Sequence, residues 1–393
     1  MRIAFTEEQD ALRSELRAYF AELMTDEVQE AMASGGGEYG GEELYKGLVR
    51  RMGEDGWLGI GWPEEYGGQA RSMIDQLIFM DEASLVGAPV PFLTINTVGP
   101  TLMQYGTDAQ REAFLPKILK GEMHFAIGYS EPGAGTDLAS LTTRAVRDGD
   151  EYVITGQKMW TSLIQYADYV WLAARTDPDA KRHKGLSMFL VDTASPGFSW
   201  TPVPTVAGVT TSATFYDDVR VPAANLVGGE NEGWKLITNQ LNHERVALCS
   251  AAPVQNHLAE VRAWATETRL ADGRRVIDQE WVQLHLARVH AKVEFLKLIN
   301  WKIAWGVRHG LGPQDASATK VFGTELSIEA YRALMEVVGP EATVTRGSPG
   351  AVLRGRLERA YRSALILTFG GGTNEVQRDI IAMVGLGLPR APR

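Results

Sequence analysis

Two short runs of the sequence combine residue types that suit the binding of a planar ligand that carries phosphates. The first run, residues 129–137, holds two glycines, hydroxyl groups and a carboxylate. Gly133 and Gly135 permit backbone angles and close approaches that a Cβ atom would forbid, so main-chain N–H groups can face a flat or anionic ligand. The second run, residues 156–162, sets Trp160 beside two hydroxyl side chains. A glycine loop, an aromatic wall and hydroxyl groups together suit a flavin dinucleotide such as FAD.

The two runs support each other because they fall within one predicted β region. A lone G-x-G turn is usually only a turn, and a tryptophan near the end of a strand more often belongs to the core. Residues 123–232 contain short apolar segments punctuated by Gly and Pro, which predict strands over 144–147, 152–154, 169–174, 186–191 and 212–221. Both runs belong to this β region.

Helical periodicity dominates the chain on either side of the β region. Thr6 and Gln9 predict a capping box, Ser72 precedes a second amphipathic segment, and Thr107 begins a third, which Pro116 is not expected to prolong. After the β region, helices are predicted from segments with apolar residues at helical spacing: 234–248, a long helix capped by Asp278 and running to 305, then 316–338, 351–369 and 374–384. The predicted domains are 1–122 (helical), 123–232 (β) and 233–393 (helical).

This sequence resembles the acyl-CoA dehydrogenase family of flavoproteins. The resemblance rests on Tyr129–Asp137 and Gly156–Ser162 and extends over the α–β–α order of essentially the whole chain. It implies an α+β fold with an N-terminal helical domain, a middle β-barrel-like domain and a C-terminal four-helix bundle. It also implies bound FAD and an acyl-CoA substrate whose Cα–Cβ bond is oxidised to a trans double bond, with the Cβ hydride passing to flavin N5.

The resemblance assigns roles to individual residues of the two runs. Ser130 would face the flavin pyrimidine, Trp160 would lie against the ring, and Ser162 would supply a hydroxyl near N5. Thr136 would sit beside both the cofactor and the acyl-CoA. Further cofactor contacts are expected at Tyr129, Gly135, Thr161, Thr373 and Glu375.

The reaction also needs a base, because a proton α to a thioester is only weakly acidic. Most family members carry a glutamate just before the C-terminal Gly-Thr, where this chain has Gly371. A minority branch carries the base on the first C-terminal helix, and Glu244 falls on that position. Glu244 is therefore the predicted catalytic base, the alternative being a surface glutamate in an ion pair. Glu375 is the rival carboxylate, and Arg245 is a predicted substrate contact or a surface arginine.

Two segments depart from the family pattern that completes a neighbouring subunit's FAD site. Residues 269–274 lack the phenylalanine of an Arg-x-x-Phe-Gly loop, and residues 336–340 replace a Gln-x-x-Gly-Gly turn with Glu336 and Pro340. This combination resembles the α-type subunits of actinobacterial α2β2 dehydrogenases that act on steroid side-chain acyl-CoA in sterol β-oxidation. A second chain would then complete the site, and Gly371, predicted to line the substrate site, would leave room for a bulky or α-branched acyl group.

Other readings of the sequence stay open at this point. A branched- or long-chain fatty acyl-CoA dehydrogenase acting as a homotetramer is one, and an acyl-CoA oxidase is its near neighbour, since the acceptor is either an electron-transfer flavoprotein or oxygen. A DNA-associated flavoprotein of this fold and a non-catalytic scaffold subunit are others. Residues 233–393 carry 21 Lys and Arg against 15 Asp and Glu, a modest excess for nucleic-acid binding.

Composition excludes several classes of protein. The net charge is −10, and the single cysteine, Cys249, rules out an internal disulfide framework or a cysteine metal cluster. We therefore expect no metal site. The N-terminal residues lack the apolar core of a signal peptide and no long apolar span is present, so a cytoplasmic location without membrane or nucleic-acid partners is expected.

Overall fold

The computed structural model describes residues 3–34, 38–243, 249–306 and 312–390. Six α-helices precede the sheet: α1 (Glu7–Leu23), α2 (Asp26–Ser34), α3 (Glu42–Glu54), α4 (Met73–Val86), α5 (Gly99–Tyr105) and α6 (Asp108–Leu119). The three predicted helix starts are confirmed, because Thr6, Ser72 and Thr107 each form a capping box with the third residue of the helix.

The prediction that Pro116 would not prolong its helix is wrong. Helix α6 continues through Pro116 to Leu119. Pro116 lies on the exposed side of the helix. Water can therefore satisfy the carbonyl that the missing proline N–H leaves without a helical donor.

Eight strands form one sheet at the centre of the chain. They are β1 (Phe125–Gly128), β2 (Arg144–Asp148), β3 (Glu151–Lys158), β4 (Tyr169–Arg175), β5 (Leu186–Asp192), β6 (Phe198–Pro204), β7 (Thr210–Pro222) and β8 (Leu226–Val227). The order along the sheet is β6-β7-β3-β2-β4-β5-β8, with β1 paired in parallel to β4. The predicted hairpin about Asp148-Gly149 is confirmed, with Val146 opposite Val153.

The C-terminal region returns to helices. These are α7 (Gly233–His243), α8 (Ala252–Glu267), α9 (Glu280–Gly306), α10 (Pro313–Val338), α11 (Arg356–Ala364) and α12 (Asn374–Ile380). Two expectations are corrected. Asp278 does not cap α9, because its carboxylate turns back onto Arg275, 2.6 Å from a guanidinium nitrogen. The predicted helix over 351–369 is interrupted, since Leu353 and Arg354 adopt left-handed backbone angles before α11 begins.

The two faces of the sheet belong to different cores. Side chains such as Ile154, Val170 and Leu172 pack within the sheet domain itself. Their neighbours Trp171 and Met188 point the other way and join the core of the N-terminal helices and α7. This alternation follows from the two-residue period of strands. The C-terminal helices α8–α11 have their own core, and within the described ranges no helix is long and apolar enough to cross a membrane.

Candidate functional site

A buried ion pair holds the 129–137 loop to the end of strand β3. The Nζ atom of Lys158 lies 2.9 Å from Oε1 of Glu131, and the two side chains are 0% and 6% exposed. Lys158 also donates to the carbonyl of Tyr129 at 3.0 Å. The carboxylate of Glu131 accepts further hydrogen bonds from the backbone N–H groups of Thr142 and Thr143, at 2.7 and 2.8 Å. Each charge is thus fully partnered, as burial requires.

Both members of this pair are charged near neutral pH. Burial alone would raise the pKa of Glu131, but the ammonium of Lys158 and the surrounding hydrogen bonds lower it to about 2. Burial lowers the pKa of Lys158 to about 8, against the attraction of Glu131. A buried, doubly charged pair of this kind fixes one arrangement of the loop, because breaking it would strand a charge.

Trp160 lies beside this loop in a constrained backbone conformation. Its φ angle is +69°, a left-handed value that is uncommon for a tryptophan. The amide on each side is anchored: Met159 N–H donates to Ser130 O at 2.8 Å and Thr161 N–H donates to Ser212 O at 2.9 Å. The indole is nevertheless 56% exposed. The structure therefore brings Ser130 and Trp160 together and presents a large aromatic face to the outside.

The two hydroxyl residues after Trp160 face opposite ways. Ser162 is exposed, with its Oγ 3.2 Å from Oγ1 of Thr211 on β7. Thr161 is fully buried, and its Oγ1 lies 3.4 Å from Oγ1 of Thr214. Ser162 can therefore offer its hydroxyl to a ligand, whereas the hydroxyl of Thr161 is turned into the protein.

The tip of the 129–137 loop is open. Gly135 and Thr136 are exposed, and within the described part of the chain their backbone N–H groups donate to no protein acceptor. Tyr129 is half-buried behind them, and its hydroxyl accepts from Nε1 of Trp171 at 3.0 Å. Two free amides beside an exposed hydroxyl and an exposed indole fit the carbonyls, phosphates and flat ring of a flavin.

The predicted C-terminal residues form a second group, in the turn that begins α12. Gly371 has a φ of +68° and open space around the position of a Cβ atom. Thr373 caps the helix, its hydroxyl accepting from Val376 N–H at 3.3 Å. Glu375 is exposed, and the hydrogen bonds of its own amide and of Thr373 lower its pKa. Thr373 and Glu375 thus form the N-terminus of α12, Thr373 as its cap and Glu375 as an acidic residue of its first turn. Glu244 and Arg245 lie outside the described residues.

The segments that depart from the family pattern use their charges within the chain. Arg269 donates to the carbonyl of Gly273 at 2.8 Å, and Arg274 pairs with Asp272 at 2.7 Å. Glu336 lies 2.7 Å from Nε2 of His285. The side chains that would have to reach a neighbour's cofactor are therefore occupied locally.

The residues that hold the site are not among those predicted from the sequence. Ser130 and Trp160 are predicted, but Glu131 and Lys158, which fix them, and Lys320, which holds the C-terminal turn, are not. The signal that was available is that Lys158 follows Tyr152 and Ile154 at the two-residue period of β3, which puts a charged residue at a position expected to be buried. Its buried acceptor could not be identified without the fold.

Three models of known protein domains match most of the chain and identify its family. Models of the N-terminal, middle and C-terminal domains of acyl-CoA dehydrogenases match residues 6–122, 126–219 and 231–386. The chain belongs to the acyl-CoA dehydrogenase family. It is thus an oxidoreductase, and the α–β–α fold expected from the sequence is confirmed. The domain boundaries 1–122, 123–232 and 233–393 stay predictions.

Individual acyl-CoA dehydrogenases resemble the chain over its full length. Acyl-CoA dehydrogenase FadE26 of Mycobacterium tuberculosis is 66% identical, with both chains covered completely. A chain of the crystal structure of the ChsE4–ChsE5 complex from M. tuberculosis has a TM-score of 0.94 at 66% identity, again with complete coverage of both. A chain of the Tcur3481–Tcur3483 steroid ACAD has a TM-score of 0.93 at 49% identity, also with 100% coverage of both. The latter two structures are complexes of two different proteins.

Proposed function

We propose that this acyl-CoA dehydrogenase is the FAD-binding, catalytic α-type subunit of an α2β2 enzyme that oxidises steroid side-chain acyl-CoA. The observation that carries this proposal is a contrast within the chain. The 129–137 loop and Trp160 are anchored and open toward a ligand, whereas the segments that serve a neighbour's site in homotetramers are paired internally. The similarity to the steroid ACAD named above supports the substrate class.

FAD would bind on the middle domain. Ser130, Gly135 and Thr136 would offer hydrogen bonds from one side, Trp160 would cover the ring, and the hydroxyl of Ser162 would approach it from the end of β3. Thr373 and Glu375 would contribute from the C-terminal turn of an adjoining chain or domain. Bound there, FAD supplies the hydride acceptor for the oxidation, and an electron-transfer flavoprotein or a similar acceptor takes up the electrons.

Glu244 would act as the base. Its task is to remove the α proton of the thioester in a pocket that excludes water, where burial raises the pKa of a carboxyl group into the useful range. The helix that precedes it, α7, packs its Leu236 and Ile237 into the core of the N-terminal helices and sheet. Arg245, next in the chain, is proposed as a contact to the acyl-CoA.

A second acyl-CoA dehydrogenase-like chain would complete the FAD site. Helix α9 leaves large apolar side chains exposed along its length: Trp281, Leu284, Phe295, Leu298 and Trp305. Their spacing places them on one stripe of the helix. An exposed apolar stripe of this length indicates a protein interface. The partner contributes the pyrophosphate contacts that residues 269–274 and 336–340 lack.

Gly371 sets the acyl class in this proposal. A glutamate at this position would fill the space that the structure leaves open around the missing Cβ. We expect Gly371→Leu, in the co-expressed enzyme, to lower kcat/KM for a steroid side-chain acyl-CoA about 10- to 100-fold by occupying that space. A short straight-chain acyl-CoA should be affected much less.

Gly371→Ala is the matched control. It imposes the same strain of an L-residue at a φ of +68°, about 1–2 kcal/mol, with little added volume. It should therefore lower kcat/KM for both substrates to a similar extent, and by less than Gly371→Leu lowers it for the steroid side-chain acyl-CoA. If Gly371→Leu lowers kcat/KM equally for both substrates, Gly371 does not line the acyl pocket.

A further inference from the structure

A buried lysine holds the glycine turn that carries Gly371. Lys320 lies on α10 and is 7% exposed. Its Nζ donates to the carbonyl of Gly372 at 2.7 Å and to Oδ1 of Asn374 at 2.8 Å. Both acceptors are neutral, and in the described ranges no carboxylate oxygen lies within 4.0 Å of this ammonium. Among the described residues, Lys320 is thus a buried cation whose hydrogen-bond acceptors are both neutral.

The amide of Asn374 is fixed from the other side. Its Nδ2 donates to Oγ1 of Thr324 at 3.1 Å and to Oε1 of Glu325 at 3.2 Å. The hydroxyl of Thr324 in turn donates to the carbonyl of Lys320 at 2.8 Å. These bonds leave Oδ1 of Asn374 directed at the ammonium. The last residues of the glycine turn are therefore tied to one turn of α10.

The glycine turn needs such an anchor. Gly371 and Gly372 have φ angles of +68° and +96°, and three successive glycines lose more conformational entropy on ordering than any other sequence. Gly370 is exposed and Gly371 has no neighbour to pack a side chain against. In the described part of the chain, the N–H of Gly370 holds one end of the turn by donating to the carbonyl of Ile366 at 2.8 Å, and the bonds at Gly372 and Asn374 hold the other end.

The same turn of α10 also touches the chain just after residues 244–248. The thiol of Cys249 lies 3.9 Å from the carbonyl of Lys320, and a Cβ on Gly323 would come within 2.8 Å of the Cβ of Cys249. Asn300 of α9 donates to the carbonyl of Cys249 at 2.9 Å. Cys249 stands five residues after Glu244 in the sequence. One segment of α10 thus contacts Cys249 as well as the glycine turn.

The charge on Lys320 distinguishes it from ordinary packing. Burial lowers its pKa, and the nearby carboxylates of Glu375 and Glu325 only partly oppose that shift. Cys249 brings no negative charge, since burial raises the pKa of its thiol to about 12. An ammonium without a close counter-ion costs free energy, and a methionine would fill a similar volume without that cost.

We propose that Lys320 is a positioning residue of this enzyme, which holds the Gly370–Gly372 turn in the open shape that admits a bulky acyl group. This inference rests on the proposed function, because it assumes that the turn lines the acyl pocket. Lys320 contacts neither substrate nor cofactor in this account. It acts through Gly372 and Asn374, whose positions it sets.

The test compares Lys320→Met, Lys320→Arg and Lys292→Met in the co-expressed enzyme. Lys292 lies on the surface of α9, where it pairs with Glu329 at 2.5 Å. Lys292→Met should have the wild-type kcat/KM for both substrates. We expect Lys320→Met to keep its flavin and to lower kcat/KM for a steroid side-chain acyl-CoA about tenfold, mainly through KM. For a short straight-chain acyl-CoA, kcat/KM should change by less than about threefold. Lys320→Arg, which keeps a buried donor cation, should recover most of the loss.

Two results would overturn the inference. One is a Lys320→Met enzyme that is less stable but keeps the wild-type ratio of kcat/KM between the two substrates, which would make Lys320 purely structural. The other is an equal loss of kcat/KM for the steroid side-chain acyl-CoA in Lys320→Met and Lys320→Arg, together with an unchanged kcat/KM in Asn374→Ala. Asn374→Ala keeps the lysine and removes one of its acceptors, so it serves if Lys320→Met does not fold. Failure of the proposed function is recognised separately, by a wild-type enzyme that prefers the short acyl-CoA.

Discussion

Replacing Glu244 with glutamine is expected to leave the flavin bound and to lower turnover by a factor of about 10²–10⁴, the range that a positioned general base contributes. Glutamine has nearly the same shape as glutamate, so binding should be preserved, but its amide cannot accept the α proton. The measurement is single-turnover reduction of the flavin, followed by its absorbance, in the enzyme saturated with acyl-CoA. This reading isolates the chemical step from product release.

Glu375→Gln is the control for the assignment of the base. Glu375 is exposed at the N-terminus of α12, where its charge interacts favourably with the helix dipole. Its loss should weaken cofactor retention more than chemistry. If Glu375→Gln abolishes flavin reduction while Glu244→Gln remains active, the base has been assigned to the wrong carboxylate.

Replacing Glu131 with glutamine is expected to destabilise the protein by about 3–5 kcal/mol, because it leaves the ammonium of Lys158 buried without a counter-ion. The free energy of unfolding in denaturant measures this loss. Asp148→Asn is the matched control, since Asp148 pairs with Arg220 at 3.0 Å on the surface. Exposed pairs of that kind contribute about 0–1 kcal/mol. Equal effects of the two substitutions would contradict a structural role for the buried pair.

The pH dependence of the same variant gives a second, independent check. The pKa of Glu131 is lowered to about 2 in the folded protein, against an ordinary value of 4.5. The charge on Glu131 therefore contributes its full stabilisation above pH 4.5 and below about pH 8, where Lys158 is still protonated, and this contribution is lost as the pH falls from 4.5 toward 2. The stability difference between the wild type and Glu131→Gln should narrow over that interval. A difference that stays constant would show that Glu131 stabilises the loop by shape alone.

Much of the fold followed from local signals in the sequence. Thr6, Ser72 and Thr107 mark helix starts because a hydroxyl can accept from the third amide of a helix, a rule that depends on a few adjacent residues. The hairpin about Gly149 and the buried strand 186–191 depend on similarly short patterns. Pro116 and Asp278 were misread because solvent exposure and a competing arginine, rather than intrinsic propensity, decided their behaviour.

The site was predictable only in part. Ser130 and Trp160 lie in runs whose composition indicates ligand binding, and the structure brings the two residues together. The bond that holds them joins Glu131 to Lys158, 27 residues apart, and the bond that holds the C-terminal glycine turn joins Lys320 to Gly372, 52 residues apart. Such pairings arise from the way strands and helices are placed in three dimensions, which no local pattern of residues encodes.

The most direct test of the account is the flavin content of the chain produced alone and together with an acyl-CoA dehydrogenase-like partner. We expect the lone chain to lose FAD on gel filtration and to be inactive, and we expect the co-expressed complex to keep one FAD for each pair of different chains and to dehydrogenate steroid side-chain acyl-CoA. A lone chain that forms a homotetramer with one tightly bound FAD per chain and full activity would contradict the account.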